Sequence, residues 1–193
     1  MAETPTPTTP APDECIVRDR AAWRAWLDEN ESLHDGLWLV LAKRGTEEPT
    51  SLSYAQALEE ALCSGWIDGQ KRSRDAATFL QRFTPRRKRS IWSARNVGIV
   101  GELSAAGRMR ERGLAEVAAA RADGRWERAY AGQAAAEPPP EFAAALAADP
   151  EAAAAFAAVS GQARYSILHP LLTAPNAEAL DRRIARALAA LRG

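Results

Sequence analysis

Gly65 and Pro85 bracket the stretch that constrains this chain most, because a helix has to stop at the first and a sheet ladder at the second. Ahead of Gly65, Ser53-Tyr54-Ala55-Gln56 matches a capping box, in which the serine hydroxyl and the glutamine side chain each satisfy a free amide of the first turn. Ala55, Leu58 and Leu62 then recur at helical spacing. Between the brackets, Trp66 to Arg74 reads as a strand, Asp75-Ala76-Ala77 as a turn, and Thr78 to Thr84 as the antiparallel partner. Alternation places Phe79, Gln81 and Phe83 on one face of the second strand and Leu80 and Arg82 on the other. Ser90 reads as the cap of a further helix, with Trp92, Asn96, Ile99 and Leu103 as its apolar stripe.

The remaining segments build around this hairpin. Asp19 caps a helix over 20–30 whose Trp23, Trp26 and Leu27 share one face, a pattern that reads as core in preference to a ligand platform. Gly36 to Ala42 is an apolar run of strand length, the expected central strand. Glu111 to Ala122 reads as a helix with Leu114, Val117 and Ala118 inward, and Trp126 and Tyr130 closing over its end. Three prolines at 138–140 impose extended structure, and everything beyond them is helical. Those helices cover 141–148, 151–159 (Asp149 as cap, Pro150 at the first position), 160–172 with an interruption at Pro170, and 176–192 with Leu180, Ile184, Leu188 and Leu191 on one stripe. The expected fold is α+β: a small antiparallel sheet covered by helices, followed by an all-α C-terminal helical region. Its expected parts are a disordered Pro/Thr-rich tail (1–12), the α+β domain (13–131), a Pro/Ala linker (132–140) and the helical region (141–193).

A formal net charge of zero conceals a strong asymmetry. Between residues 68 and 95 nine basic residues face two acidic ones, a net +7, whereas residues 1–67 carry a net −7. Such a distribution bears on partners and steering and says little about fold. Two cysteines, Cys15 and Cys63, form no metal-binding pattern and no disulfide framework. No apolar run approaches the ~18 residues of a membrane span, and the N-terminus lacks the basic and apolar regions of a secretory signal, so a cytoplasmic protein is expected.

Catalysis finds little support. His34 and His169 lie in different regions, Cys63 sits late in an amphipathic helix as a small buried thiol would, and no phosphate-binding or nucleophile-elbow motif occurs. No catalytic residue, metal ligand or cofactor is assigned. Asp68, surrounded by arginines, is the one carboxylate that a pocket could tune, and a salt bridge to Arg72, Arg86 or Arg95 accounts for it equally well.

Binding fits better. An arginine-rich ribbon offers planar guanidinium forks to phosphates or carboxylates and aromatic faces to rings. Arg86 and Arg87 ahead of a helix capped by Ser90 would form an anion site with its free amides. The candidate ligand-binding set is Trp66, Asp68, Lys71, Arg72, Arg82, Arg86, Arg87, Ser90, Trp92 and Asn96. Its expected partners are a small anionic molecule or an acidic protein surface, with nucleic acid as the alternative. Against this stands the reading in which the arginines are a solvated face, or pair with the acidic first third of the chain.

The run ALCSGWIDGQKRS…RFTPRRKRSIWSARN, together with GRM at 107–109, DGRWERAY at 123–130 and the helical tail from PPPEFAAAL to LDRRIARAL, resembles the YdeI/OmpD-associated (bacteriocin-protection, OmdA-type) family. The likeness covers roughly residues 13–193. It implies a link to tolerance of bacteriocins or cationic antimicrobial peptides and an envelope or porin-associated partner, with no agreed enzymatic activity or cofactor. A cationic peptide would avoid the basic hairpin and prefer the acidic surface of residues 1–67, so the resemblance leaves direct and indirect protection both open.

Overall fold

A computed structural model describes residues 14–193; the tail expected over 1–12 lies outside them. The chain divides into two compact units: the first runs up to Ser90 and resumes over Ile99–Asp123, and the second comprises Ile91–Gly98 and Gly124–Gly193.

In the first unit β1 (Glu14–Cys15), β2 (Leu37–Ala42), β3 (Trp66–Ser73) and β4 (Thr78–Pro85) form one sheet in the order β1-β2-β4-β3. The three long strands pair antiparallel as the sequence suggested, and β2 is a central strand. The two-residue β1 adds a parallel edge that makes the sheet mixed; a segment so short carries no periodicity from which to read it. Leu37, Leu39 and Leu41 pair with Phe83, Gln81 and Phe79, which gathers six residues on one face. Helix α1 (Arg20–Asn30) covers that face, with the Trp23 ring 5.8 Å from Phe83. Asp19 caps α1 by accepting from the Ala22 amide at 2.9 Å. That bond, followed by the Arg18 guanidinium, holds the Asp19 carboxyl below its ordinary range.

Helix α2 (Tyr54–Cys63) opens with the expected reciprocal box between Ser53 and Gln56 and closes at Gly65, whose φ of +71° is the left-handed conformation that glycine adopts without steric cost. Helix α4 (Glu111–Ala122) packs on α2, but not through the stripe the hydropathy suggested. Leu114 is half exposed and Ala118 exposed, while Gly113, Val117 and Ala120 are buried. Glycine is invisible to a hydropathy pattern, yet here it sets the contact. A Cβ at Gly113 would stand 2.2 Å from the Cys63 carbonyl oxygen, which itself accepts from the Arg110 amide at 3.1 Å.

One helix, α3 (Ala94–Ala105), begins in the second unit and ends in the first. The rest of the second unit is α5 (Pro140–Ala147), α6 (Pro150–Ala158), α7 (Gly161–Leu172) and α8 (Ala177–Leu191), capped in turn by Asp149, Ser160 and Asn176 for the last three. Phe142, Leu146, Phe156, Leu168, Leu171 and Ile184 form its core, with Phe142 and Phe156 edge to face at 5.4 Å. Pro170 does not interrupt α7. It falls in the last turn, where only one amide bond is lost, and the helix runs on to Leu172. Residues 132–140, expected as extended linker, hold a 3₁₀ turn at Gln133–Ala135 that contacts α7. Trp126 and Tyr130 belong to this unit and not to the end of the first core: the Trp92 and Trp126 rings meet edge to face at 4.9 Å, and Ser93 bridges Tyr130 in parallel.

Candidate functional site

Eight of the ten candidate residues lie in the first unit, where a β-bulge divides those of β3 between two faces. The β3–β4 register shifts between Asp68 and Lys71, so that β3 carries one extra residue. Trp66 and Asp68 pair with Pro85 and Phe83 and lie on the covered face, whereas Arg72 pairs with Leu80 and lies on the opposite one. Without the bulge, Trp66, Asp68 and Arg72 would share a face. The buried Gln81 side chain holds it, donating to the Gly69 and Gln70 carbonyls at 2.9 and 3.2 Å.

On the covered face Trp66 is fully buried and donates its indole N–H to the Glu31 carbonyl at 3.2 Å. It therefore offers no ring face to a ligand, and neither does Phe83. Asp68 accepts a 2.7 Å hydrogen bond from the Tyr54 hydroxyl, a partner that the sequence reading had not weighed against Arg72, Arg86 and Arg95. Cys63, fully buried in α2, has its thiol pushed up to about 11 by loss of water and by the nearby Glu60 charge, and so stays neutral.

On the opposite face the Arg72 guanidinium lies over the Trp38 ring, 4.1 Å from its centroid, and Arg82 stands directly across from Trp38 in the register. Lys71, paired with Gln81, belongs instead to the face of Phe79, whose ring it covers at 4.3 Å from the centroid. At the hairpin tip Arg74 is spent on structure, bonding Glu14 at 3.0 Å and Asp75 at 2.7 Å. Burial works against ionisation of Asp75, but hydrogen bonds from the Thr78 hydroxyl and from the Thr78 and Ala77 amides outweigh it and hold the carboxyl below its ordinary range.

Beyond Pro85 the basic run separates by exposure. Arg86 is buried, with its amide on the Gly65 carbonyl at 3.0 Å, while Arg87, Lys88 and Arg89 are exposed. Ser90 does not cap α3. Its hydroxyl accepts from the Arg87 amide at 2.9 Å and its own amide donates to the Arg87 carbonyl at 2.8 Å, closing a turn that presents Lys88 and Arg89. Ser93 takes the cap instead, accepting from the Asn96 amide. The helix thus starts at Ala94, in the second unit, whereas Arg86 and Arg87 belong to the first. Trp92 and Asn96 are buried in the second unit, in the stretch where the Tyr130 amide donates to the Trp92 carbonyl and the Ala94 amide to the Tyr130 carbonyl.

A buried ion-pair network escaped the sequence reading. Glu60, nearly inaccessible, accepts from Arg20 and Arg108 at 2.7 Å and from Arg110 at 3.0 Å, and Glu59 accepts from Arg20 and Arg108 at 3.0 and 2.9 Å. The Asp28 carboxylate adds an ion pair with Arg110 at 2.8 Å, without the alignment of a hydrogen bond. Two adjacent carboxylates in a helix were the available signal, but their partners lie some forty to fifty positions away.

Two cavities are also present among the described residues. One, of about 430 Å³ in the first unit, is bordered by Glu14, Cys15, Trp26, His34, Gly36 and Arg82 among others. The other, of about 570 Å³ between α7 and α8, is mainly apolar and carries Arg183 and Arg186. Among the described residues no three His, Cys, Asp or Glu side chains are grouped to hold a metal ion, and no helix is long and apolar enough to cross a membrane.

Residues 15–116 match the family model of a domain of unknown function, DUF8412, and residues 135–193 match that described as bacteriocin-protection, YdeI or OmpD-associated. Comparison with curated proteins and with solved structures gives no match.

Proposed function

Since the chain belongs to the DUF8412 family and carries a bacteriocin-protection, YdeI or OmpD-associated domain, we propose that it is a non-enzymatic binding protein of bacteriocin and antimicrobial-peptide tolerance. In this reading it meets an anionic ligand or acidic partner surface through the exposed bases of the hairpin region, namely Lys71, Arg72, Arg87, Lys88 and Arg89.

The observation that carries this reading is how the acidic first third of the chain is used. Its carboxylates at 19, 28, 59 and 60 pair with Arg18, Arg20, Arg24, Arg108 and Arg110, and Glu14 pairs with a base of the hairpin, Arg74. Among the described residues no carboxylate lies in ion-pair reach of those five exposed bases. The positive charge of these five is therefore not consumed by ion pairs among the described residues. A cationic peptide is repelled by such a surface, so protection runs through an acidic partner and not through capture of the peptide.

The triple variant Arg87→Ala, Lys88→Ala, Arg89→Ala tests the reading on immobilised heparin and on duplex DNA. Earlier elution from heparin with an unchanged melting temperature is expected. Retention equal to that of the parent chain removes the proposal. A steep salt dependence on DNA that exceeds that on heparin moves the assignment to nucleic acid.

A further inference from the structure

We propose that the 430 Å³ cavity at the β1 edge of the first unit is a binding site for a small planar monocarboxylate, held by Arg82 and packed against Trp26 and His34. The site goes beyond the surface bases invoked above and shares none of them.

Trp26 supplies a fixed wall. Unlike its neighbour Trp23, it is only half buried. One face stacks on Trp23 at 5.2 Å and 15°, Trp66 meets it edge-on at 5.8 Å, and His34 tilts against it at 5.2 Å. With so many neighbours the indole has nowhere to swing, and the part that reaches the cavity is a preformed aromatic surface.

Arg82 supplies the charge. Among the described residues it has no carboxylate partner, and its Nη2 lies within 3.2 Å of where a Cβ of Gly36 would stand. Gly36 has φ of +123°, and the same Cβ would collide with the Phe83 carbonyl and the Thr84 methyl at 2.6 Å. The backbone clash and the positive φ require glycine at 36, and its lack of a side chain leaves the space beside the guanidinium open.

The remaining lining narrows the ligand. Glu14 is a carboxylate at the rim, but Arg74 compensates it at 3.0 Å, with both side chains nearly inaccessible. Cys15 stays a neutral thiol, because burial pushes it up. One uncompensated guanidinium therefore faces the cavity: it matches one carboxylate in a two-pronged geometry, and no second arginine or lysine among the described lining residues offers a place for another negative charge. The volume lies within the range of small-molecule sites and suits a single ring with its acid group.

Benzoate, benzamide and cyclohexanecarboxylate, titrated into the full chain by calorimetry, test the proposal. Benzoate is expected to bind in the millimolar range or tighter, with benzamide roughly tenfold or more weaker for want of the charge and cyclohexanecarboxylate severalfold weaker for want of a π face. Arg82→Gln should weaken benzoate to the level of benzamide, and Arg82→Lys should restore it only in part. His34→Ala, at an exposed position, should weaken benzoate severalfold while heparin retention stays that of the parent. Absence of benzoate binding, or equal affinity for all three probes, overturns the proposal. So does benzoate affinity that survives both Arg82→Gln and His34→Ala. Because the heparin readout depends on other residues, either assignment can fail while the other stands.

Discussion

The Cα of Gly113 lies against the carbonyl of Cys63 so closely that a Cβ added there would stand 2.2 Å from the oxygen. Both partners are backbone, one in α4 and one at the end of α2, and neither can rotate out of the way. Gly113→Ala should therefore cost about 1–3 kcal/mol, toward the upper end because a helix has to shift. Urea denaturation reads this directly. A midpoint equal to that of the parent would show that α4 slides without penalty.

Glu60 and Glu59 neighbour each other in sequence but not in burial, at 5% and 32% side-chain exposure. Removing Glu60 leaves Arg20, Arg108 and Arg110 without their shared partner, so Glu60→Ala should destabilise by about 3 kcal/mol. Glu59→Ala, at the wetter carboxylate, should lose less than about 1 kcal/mol. Equal losses in chemical denaturation would refute the idea that burial sets the ranking.

Arg86 and Arg87 are consecutive and should behave oppositely. Arg86 is buried at the end of the hairpin, so Arg86→Ala should cost more than about 1 kcal/mol through lost packing. Arg87→Ala, at an exposed position, should stay within about 0.5 kcal/mol. Thermal melts of the two single variants distinguish them, and similar shifts would contradict the difference in burial.

Cys63 gives the chain an alkaline signature. Its thiol is held up to about 11 in the folded state, against about 8.5 in an unfolded chain. Between those values the unfolded state loses its proton first, so this contribution to stability is complete below about 8.5 and disappears as pH rises through about 11. The stability of the parent should fall more steeply over that window than that of Cys63→Ala. Parallel pH profiles would exclude the thiol as the source. A thiol reagent at mild alkaline pH should leave Cys63 unmodified until denaturant is added.

How much of this was legible in the sequence follows from the range of the forces involved. The Ser53–Gln56 box, the Asp19 and Asp149 caps, the left-handed Gly65 and the stop at Pro85 are decided within a few residues, and the sequence announced each of them. The bulge at 69–70 is decided by a glutamine on the next strand, and it moved Arg72 to the face opposite Trp66 and Asp68. Ser90 and Ser93 are equally good caps by type, and only the turn that Ser90 closes with Arg87 separates them. The charges of the acidic third found partners at Arg108 and Arg110, distant in sequence, and for that reason the basic hairpin kept its own.

The path of the chain has a consequence for grafting. It passes from the first unit to the second at Ile91, returns at Ile99, and leaves again at Gly124, with α3 threaded through the change. Transplanting the C-terminal helices by cutting in the proline stretch would leave Trp92 and Trp126 behind, along with the Ser93–Tyr130 bridge. A graft of the second unit would therefore have to carry 91–98 as well as 124–193 to keep those contacts.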